Sequence, residues 1–175
     1  MNLIIRRLRE YDIDQVIKIE EVTFGEFHWS RESFCSEIEN DLGNYFVAIE
    51  ENTKTLVGYC GFWAIIDEAH ITTLAVHPDF KGNKISEALL QQMVKTAYEK
   101  KLKWFTLEVR MSNLPAINLY KKYGFESLGV REKYYQDNNE DAVIMWTDNI
   151  WFDKFKNSFH TLQKAIEEKV TVVSC

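Results

Sequence analysis

Glycine and proline are scarce in this sequence. Seven glycines and two prolines in 175 residues leave no material for a flexible linker, a collagen-like tract or a second module on a hinge. Cysteine is scarce too, and Cys35, Cys60 and Cys175 stand far apart with no CxxC. An odd number of unclustered thiols argues against a disulfide framework and for a reducing, cytoplasmic location. His28, His70, His77 and His160 form no HxH, HxxxH or HExxH arrangement, so no metal is expected. Long apolar runs are missing: the longest, residues 57–66, is broken by two glycines and is far shorter than the ~20 residues that span a bilayer. The opening MNLIIRRLREYD turns charged after five residues, too early for a secretory apolar segment. Basic charge is in deficit as well. With 21 Lys+Arg against 27 Asp+Glu the net charge is −6, which opposes general nucleic-acid binding, since that needs a basic face to displace counterions. Neither a membrane nor a nucleic acid is expected as a partner.

What is present is core material. Hydrophobic residues make up 46% and aromatics 14%, enough for one domain at this length. Residues 2–7 read as a strand. Ile13, Val16, Ile17, Val22 and Phe24 follow helical spacing, with Ile19 off the stripe and Asp12 as N-cap. Ser30 offers a second N-cap, for a helix through Phe34 and Ile38. Residues 45–50 and 55–66 form a predicted hairpin around the polar turn 51–54, and 69–76 a third strand rich in β-branched residues. A polar loop, 77–84, then leads into a long helix with Ile85, Ala88, Leu89, Met93 and Ala97 on one side. Residues 103–110 read as a strand, 113–123 as a helix stopped by Gly124, and 125–135 and 142–147 as two further strands. The order βααβββαβαββ predicts an α/β domain on a mixed central β-sheet flanked by helices. After it, Trp151, Phe155, Phe159, Leu162 and Ile166 mark an amphipathic C-terminal helix. The chain thus divides into a domain, 1–148, and an extension, 149–175. The helix either docks on the domain or offers a homodimer surface.

Two constellations carry chemistry. Residues 71–97 form a strand–loop–helix unit whose helix N-terminus presents unpaired backbone N–H groups to an anion such as a pyrophosphate. The same unit also fits an ordinary βα turn, since neither GxxxxGK[ST] nor GxGxxG is present. The second is LEVRMSN followed by LYKKYGF. Strand alternation turns Glu108 away from Leu107 and Val109 and towards a cleft that Tyr120, on the next helix, is able to approach. A carboxylate and a phenol that converge there make a base and an acid. A surface ion pair for Glu108 and core packing for Tyr120 are the competing readings.

The runs ITTLAVHPDFKGNKISEALL, LEVRMSNLPAINLYKKYGFESLGVREKYY and EDAVIMW, with the entry segment FHWSRESFCSEI, resemble the GNAT acetyltransferase superfamily. Within it the likeness is to the bacterial ribosomal-protein-alanine N-acetyltransferase group, over residues 2–146. The resemblance implies a GNAT fold, acetyl-CoA as donor and a primary amine as acceptor, with direct transfer. It implies Glu108 as the general base, acting through water, and Tyr120 as the acid that protonates the departing thiolate. The backbone of Leu74, Ala75 and Val76 would hold the pantetheine arm and polarise the thioester. Lys81, Gly82, Asn83, Lys84, Ile85, Ser86 and Glu87 would form the pyrophosphate loop, with Asn113 as a polar cofactor contact. Phe24, Trp29, Tyr134 and Tyr135 would flank the acceptor, a protein or peptide N-terminus such as that of a ribosomal protein.

The loop departs from the family pattern. Lys84 and Ser86 stand where glycine or alanine is usual, and glycine is what lets a backbone approach a phosphate. Lys84 would offset that by meeting a phosphate itself. Two other functions remain compatible: a GNAT enzyme for a small amine or polyamine, and a degenerate GNAT module acting through protein contacts.

Overall fold

The computed structural model describes residues 1–173, so Cys175 lies outside the described residues. Eight strands form one mixed sheet in the order β6-β7-β5-β4-β3-β2-β1-β8. The elements are β1 (Asn2–Arg7), α1 (Ile13–Phe24), α2 (Arg31–Glu39), β2 (Gly43–Glu50), β3 (Thr55–Ile65), β4 (Glu68–Val76), α3 (Ile85–Glu99), β5 (Trp104–Arg110), α4 (Leu114–Lys122), β6 (Phe125–Tyr135), β7 (Glu140–Thr147), α5 (Asp153–Glu167) and β8 (Thr171–Val173). The predicted order holds up to α5. The three-residue strand β8, which the sequence reading did not anticipate, adds in parallel to the free edge of β1.

Helices cover both faces. On one, Ile13, Val16 and Ile19 of α1 and Phe34 of α2 pack on Val47, Tyr59 and Ala75. On the other, α3 buries Ile85, Ala88, Leu89, Met93 and Ala97 against Ala69, Ile71, Phe105 and Leu107. Within α1 the stripe differs from the expectation: Ile19 is 1% exposed while Val22 is 60% exposed. Asp12 stands at the N-cap position of α1 as expected, but its side chain makes no cap hydrogen bond to that helix. It accepts from the Arg9 backbone N–H at 2.9 Å, at the start of the three-residue 3-10 turn before α1, and pairs with Arg6 at 2.7 Å. Ser30 does cap α2, accepting from Ser33 N–H at 3.2 Å.

Two irregularities of β4 shape everything that follows. First, Gly61 of β3 pairs with Thr73 and Phe62 with Ile71, so Thr72 is an extra residue, a β-bulge. Thr72 Oγ1 donates to the Gly61 carbonyl at 3.2 Å and meets the Tyr45 hydroxyl at 2.9 Å. Gly61 must be glycine here, since a Cβ would lie 2.1 Å from the Tyr45 ring. The bulge flips the alternation: Ala69 and Ile71 face α3, whereas Ala75 faces α1 and α2. Second, β4 and β5 pair only at Glu68↔Trp104, Ala69↔Phe105 and His70↔Thr106. Beyond that point they splay, β4 held by β3 and β5 by β7.

The apolar stripe of α5 is spent on the domain itself. Phe155, Phe159 and Ile166 join the core cluster beside α3, and Tyr98 packs on Trp151 at 5.0 Å and on Phe159 at 6.3 Å. The stripe thus docks on the domain: Phe155, Phe159 and Ile166 are buried there and Leu162 packs against the same cluster, while Trp151 stays 40% exposed, so little of the stripe is left for a second copy. Phe159→Ala should accordingly cost ~3–5 kcal/mol in urea unfolding, the range for a core phenylalanine. Sedimentation should show no change of oligomeric state; an altered state at unchanged stability would contradict the docking.

Candidate active site

The splay opens a cleft of about 830 Å³. One wall is β4, with Ile71, Thr72, Thr73 and Leu74; the other is β5, with Leu107 to Arg110. Leu107 and Val109 point into the core, 1% and 6% exposed, so Glu108 projects from the opposite face into the cleft. His70 Nε2 lies 2.7 Å from Glu108 Oε2, and Arg131 reaches Oε1 at 3.4 Å. A carboxylate offers about four acceptor positions, so the two contacts orient Glu108 and leave it capacity for a ligand or water. The surface ion-pair reading is thus partly right: the pair exists, but it stands in the cleft wall.

Tyr120 comes from α4. Asn113 caps that helix, its Oδ1 accepting from Ala116 N–H at 3.3 Å, and Gly124, at φ 86°, stops it. The Tyr120 ring packs on Phe125 at 5.3 Å and is 6% exposed, yet it lines the cleft. Its hydroxyl makes no hydrogen bond among the described residues. Burial, reinforced by the nearby Cys60 and Tyr135, pushes the phenol well above the usual tyrosine range, so it stays a proton carrier. The packing and the cleft readings of Tyr120 both hold.

The residues read as cofactor-binding divide by what they expose. Leu74, Lys81 and Asn113 line the cleft. Ala75 and Val76 bury their side chains and can offer only backbone. Ile85 is 2% exposed and belongs to the core. The backbone N–H groups of Ile85, Ser86 and Glu87 precede the first helical bond of α3, Ala88 N–H to Lys84 O at 3.0 Å, and so remain available. Gly82 and Lys84 both take left-handed backbone, φ 83° and 64°. Lys84 therefore adopts, under strain, a conformation that favours glycine. Asn83 turns its amide to the Phe80 carbonyl at 3.1 Å.

The Glu87 side chain faces inward, 7% exposed, bonded to Lys84 at 2.9 Å, Lys122 at 2.6 Å and Tyr123 at 3.1 Å. Burial pushes its carboxyl upward, but the hydrogen bonds from Lys122 and Lys84 outweigh this and hold it below the usual carboxylate range. Lys84 is thus paired within the protein. Lys122 is free to keep Glu87 paired if Lys84 turns to a phosphate.

Of the residues read from the sequence as flanking the acceptor, Phe24, Trp29 and Tyr135 line the cleft but Tyr134 does not. Tyr134 packs edge-on against its chain neighbour Tyr135 at 5.1 Å and is 46% exposed, so it braces the ring that lines the cleft. Tyr135 lies under Arg110, 3.9 Å from guanidinium to ring centroid. Burial raises its phenol to about 12 against the opposing pull of Arg110. Arg110 also holds Asp137 at 2.7 Å and Glu140 at 3.4 Å, which pins the β6–β7 turn over the cleft. Sequence reasoning missed this clamp, along with His70 and Glu20. Glu20 is 1% exposed and bonds to the Trp29 N–H at 2.9 Å and to the Tyr59 hydroxyl. Its signal was an acid directly beside Ile19 on the inner side of α1.

This geometry has known counterparts. The family model described as "Acetyltransferase (GNAT) family" matches residues 10–125. The chain belongs to the GNAT acetyltransferase family. It is 43% identical over 143 residues to a Bacillus subtilis protein, spanning 81% of this chain and 93% of the relative, whose naming as a [ribosomal protein bS18]-alanine N-acetyltransferase is provisional. It is 32% identical over 121 residues to the [ribosomal protein bS18]-alanine N-acetyltransferase of Escherichia coli strain K12, across 68% of this chain and 80% of that one. The crystal structure of the ribosomal-protein-S18-alanine N-acetyltransferase from Escherichia coli superposes with a TM-score of 0.75 at 30% identity, over 84% of this chain and 94% of that one.

This GNAT chain is therefore an N-acetyltransferase, and enzymes of its family use acetyl-CoA. Among the described residues no cluster of three or more His, Cys, Asp or Glu could hold a metal, and no helix is long and apolar enough to cross a membrane.

Proposed function

We propose that this GNAT enzyme transfers acetyl from acetyl-CoA to the α-amino group of a protein N-terminus, with the N-terminal alanine of a ribosomal protein as the acceptor. The single observation that carries the reading is the cleft between splayed β4 and β5, with Glu108 and Tyr120 on its walls and an apolar, aromatic mouth at Phe24, Trp29 and Tyr135. The names of the bacterial relatives support the acceptor class. The reading includes action in the cytoplasm and assigns residues 1–148 as the acetyltransferase unit, with 149–175 as an extension.

The chemistry needs a base and an acid. An incoming ammonium has no lone pair, and Glu108, directly or through water, takes its proton. The amine then attacks the thioester carbon. Unpaired backbone N–H groups of β4 around Leu74–Val76 stabilise the oxyanion that forms, which is the role such fixed donors play in acyl transfer. Tyr120 donates to the sulfur as the carbon–sulfur bond breaks. Burial raises the basicity of that sulfur as it raises the phenol's, so the two remain matched inside the cleft. The α3 N-terminus, Lys81 and, after release from Glu87, Lys84 meet the pyrophosphate.

Two measurements test this. Turnover of acetyl-CoA against a panel of peptide N-termini and free amines should favour a peptide beginning with a small residue; turnover of free amines alone would overturn the acceptor assignment. Lys84→Ala should raise KM for acetyl-CoA with kcat nearly unchanged, the pattern for binding shared by ground and transition states. An unchanged KM would show that Lys84 never leaves Glu87.

A further inference from the structure

Glu20 is a buried carboxyl for which the reaction as drawn has no use. It sits on the inner face of α1, and each of its oxygens has a different kind of partner. Oε2 accepts from the Trp29 backbone N–H at 2.9 Å, and a backbone N–H can only donate. Oε1 accepts from the Tyr59 hydroxyl of β3. The Tyr59 oxygen in turn meets the Thr73 hydroxyl of β4 at 3.4 Å. Thr73 belongs to the splayed part of β4, next to Leu74, and lines the cleft together with Glu20, Glu108 and Tyr120. Because of the bulge at Thr72, Thr73 faces α1, the side of the sheet that also carries Glu108.

We infer that Glu20, Tyr59 and Thr73 form a polarised hydrogen-bond relay, and that Glu20 is a positioning residue which sets the polarity Thr73 offers to the acceptor nitrogen. The inference rests on the reading that an amine is acetylated in this cleft. With Glu20 ionised, every donor in the relay points inward: Thr73 to Tyr59, Tyr59 to Glu20. Thr73 Oγ1 then turns its lone pairs to the cleft and accepts an N–H of the acceptor. That contact leaves the nitrogen's own lone pair free to attack the thioester. With Glu20 protonated the chain reverses. The proton resides on Oε1, since Oε2 faces the Trp29 N–H, and Tyr59 donates to Thr73. Thr73 must then donate outward, into the lone pair that the reaction requires.

The titratable groups facing Glu20 are His28, from the segment between α1 and α2, and Tyr59, from β3. Glu108 lies on the far wall of the same cleft, with His70 and Arg131 on its carboxylate. Burial raises the Glu20 carboxyl to about 7, against the lowering effects of the Trp29 hydrogen bond and His28. A raised carboxyl pKa favours the neutral form, so the relay reverses as the pH falls through neutrality.

Glu20→Gln provides a decisive probe. The glutamine oxygen has to face Trp29, leaving its NH2 to donate to Tyr59, so the variant is locked in the reversed polarity without losing the tie to the loop. The experiment compares kcat/KM for the acceptor, at saturating acetyl-CoA, between wild type and Glu20→Gln from pH 5.5 to 9. Titration of the amine is common to both proteins and cancels in the ratio. The ratio should be near one at pH 5.5 and rise to roughly tenfold above pH 8, the scale of one hydrogen bond made or opposed. KM for acetyl-CoA should not move. Thr73→Val removes the end of the relay and should make a further Glu20→Gln change silent. A ratio flat with pH, or an undiminished effect of Glu20→Gln in the Thr73→Val background, would overturn the relay. If Glu20→Gln fails to fold, Tyr59→Phe cuts Thr73 off from Glu20, so its ratio to wild type still varies with pH if the relay operates and is flat if it does not. A wild-type enzyme that acetylates no amine would overturn the parent reading, and this one with it.

Discussion

Glu108→Gln is expected to lower kcat by about 10²–10⁴-fold, the usual contribution of a positioned general base. The change is isosteric, and the substituted glutamine would still accept from His70 or Arg131 through its oxygen, so folding should survive. What it cannot do is take a proton from the acceptor ammonium. The loss should be greatest at low pH, where nearly all of the amine arrives protonated, and should shrink as the pH approaches the amine's own pKa. Steady-state kinetics with a peptide acceptor from pH 6 to 9.5 measures this. A wild-type rate across that range would assign the base to another group or to bulk water.

Removing the hydroxyl of Tyr120 should produce a loss of similar size by a different route. Tyr120→Phe keeps the ring that packs on Phe125, so the melting temperature should hold. The departing sulfur would then leave without a proton donor, and kcat should fall by about 10²–10³-fold with KM for acetyl-CoA little changed. A thioester whose thiol is more acidic needs less help, so the gap between variant and wild type should narrow with such a donor. If it does not narrow, Tyr120 acts through packing and the acid lies elsewhere. The two variants separate the steps: Glu108→Gln should respond to acceptor basicity and Tyr120→Phe to the leaving group.

Much of the fold was readable because local spacing encodes it. Ser30 announced α2 through its capping hydroxyl, Gly124 closed α4 through its left-handed φ, and β6 began and ended at the residues expected. Leu107 and Val109 alternate about Glu108, and that alternation alone turned the carboxylate out of the core. The errors arose where a neighbour distant in sequence decided the outcome. Ile19 is buried and Val22 exposed because α1 rolls to bring Glu20 onto Tyr59, 39 residues away. Asp12 keeps the N-cap position of α1, but its side chain turns to Arg6 and the Arg9 N–H instead of the helix. The apolar stripe of α5 was correctly identified, but periodicity cannot say whether a stripe is covered by its own chain or by a second copy.

By itself the sequence determined the element order up to α5, the superfamily, and the alternation that turns Glu108 out of the core. These follow from periodicities of two and of three to four residues and from motifs read along a continuous stretch of chain. The tertiary structure alone decided the bulge at Thr72, the parting of β4 from β5 after His70, the clamp of Arg110 on the β6–β7 turn, the docking of α5 and the addition of β8. It also decided that Glu20 would share a cleft with Glu108. The physical reason is common to all of these. Each depends on strand register or on a contact between residues far apart in the chain, and such contacts form only when packing brings them together, whatever the local pattern prefers.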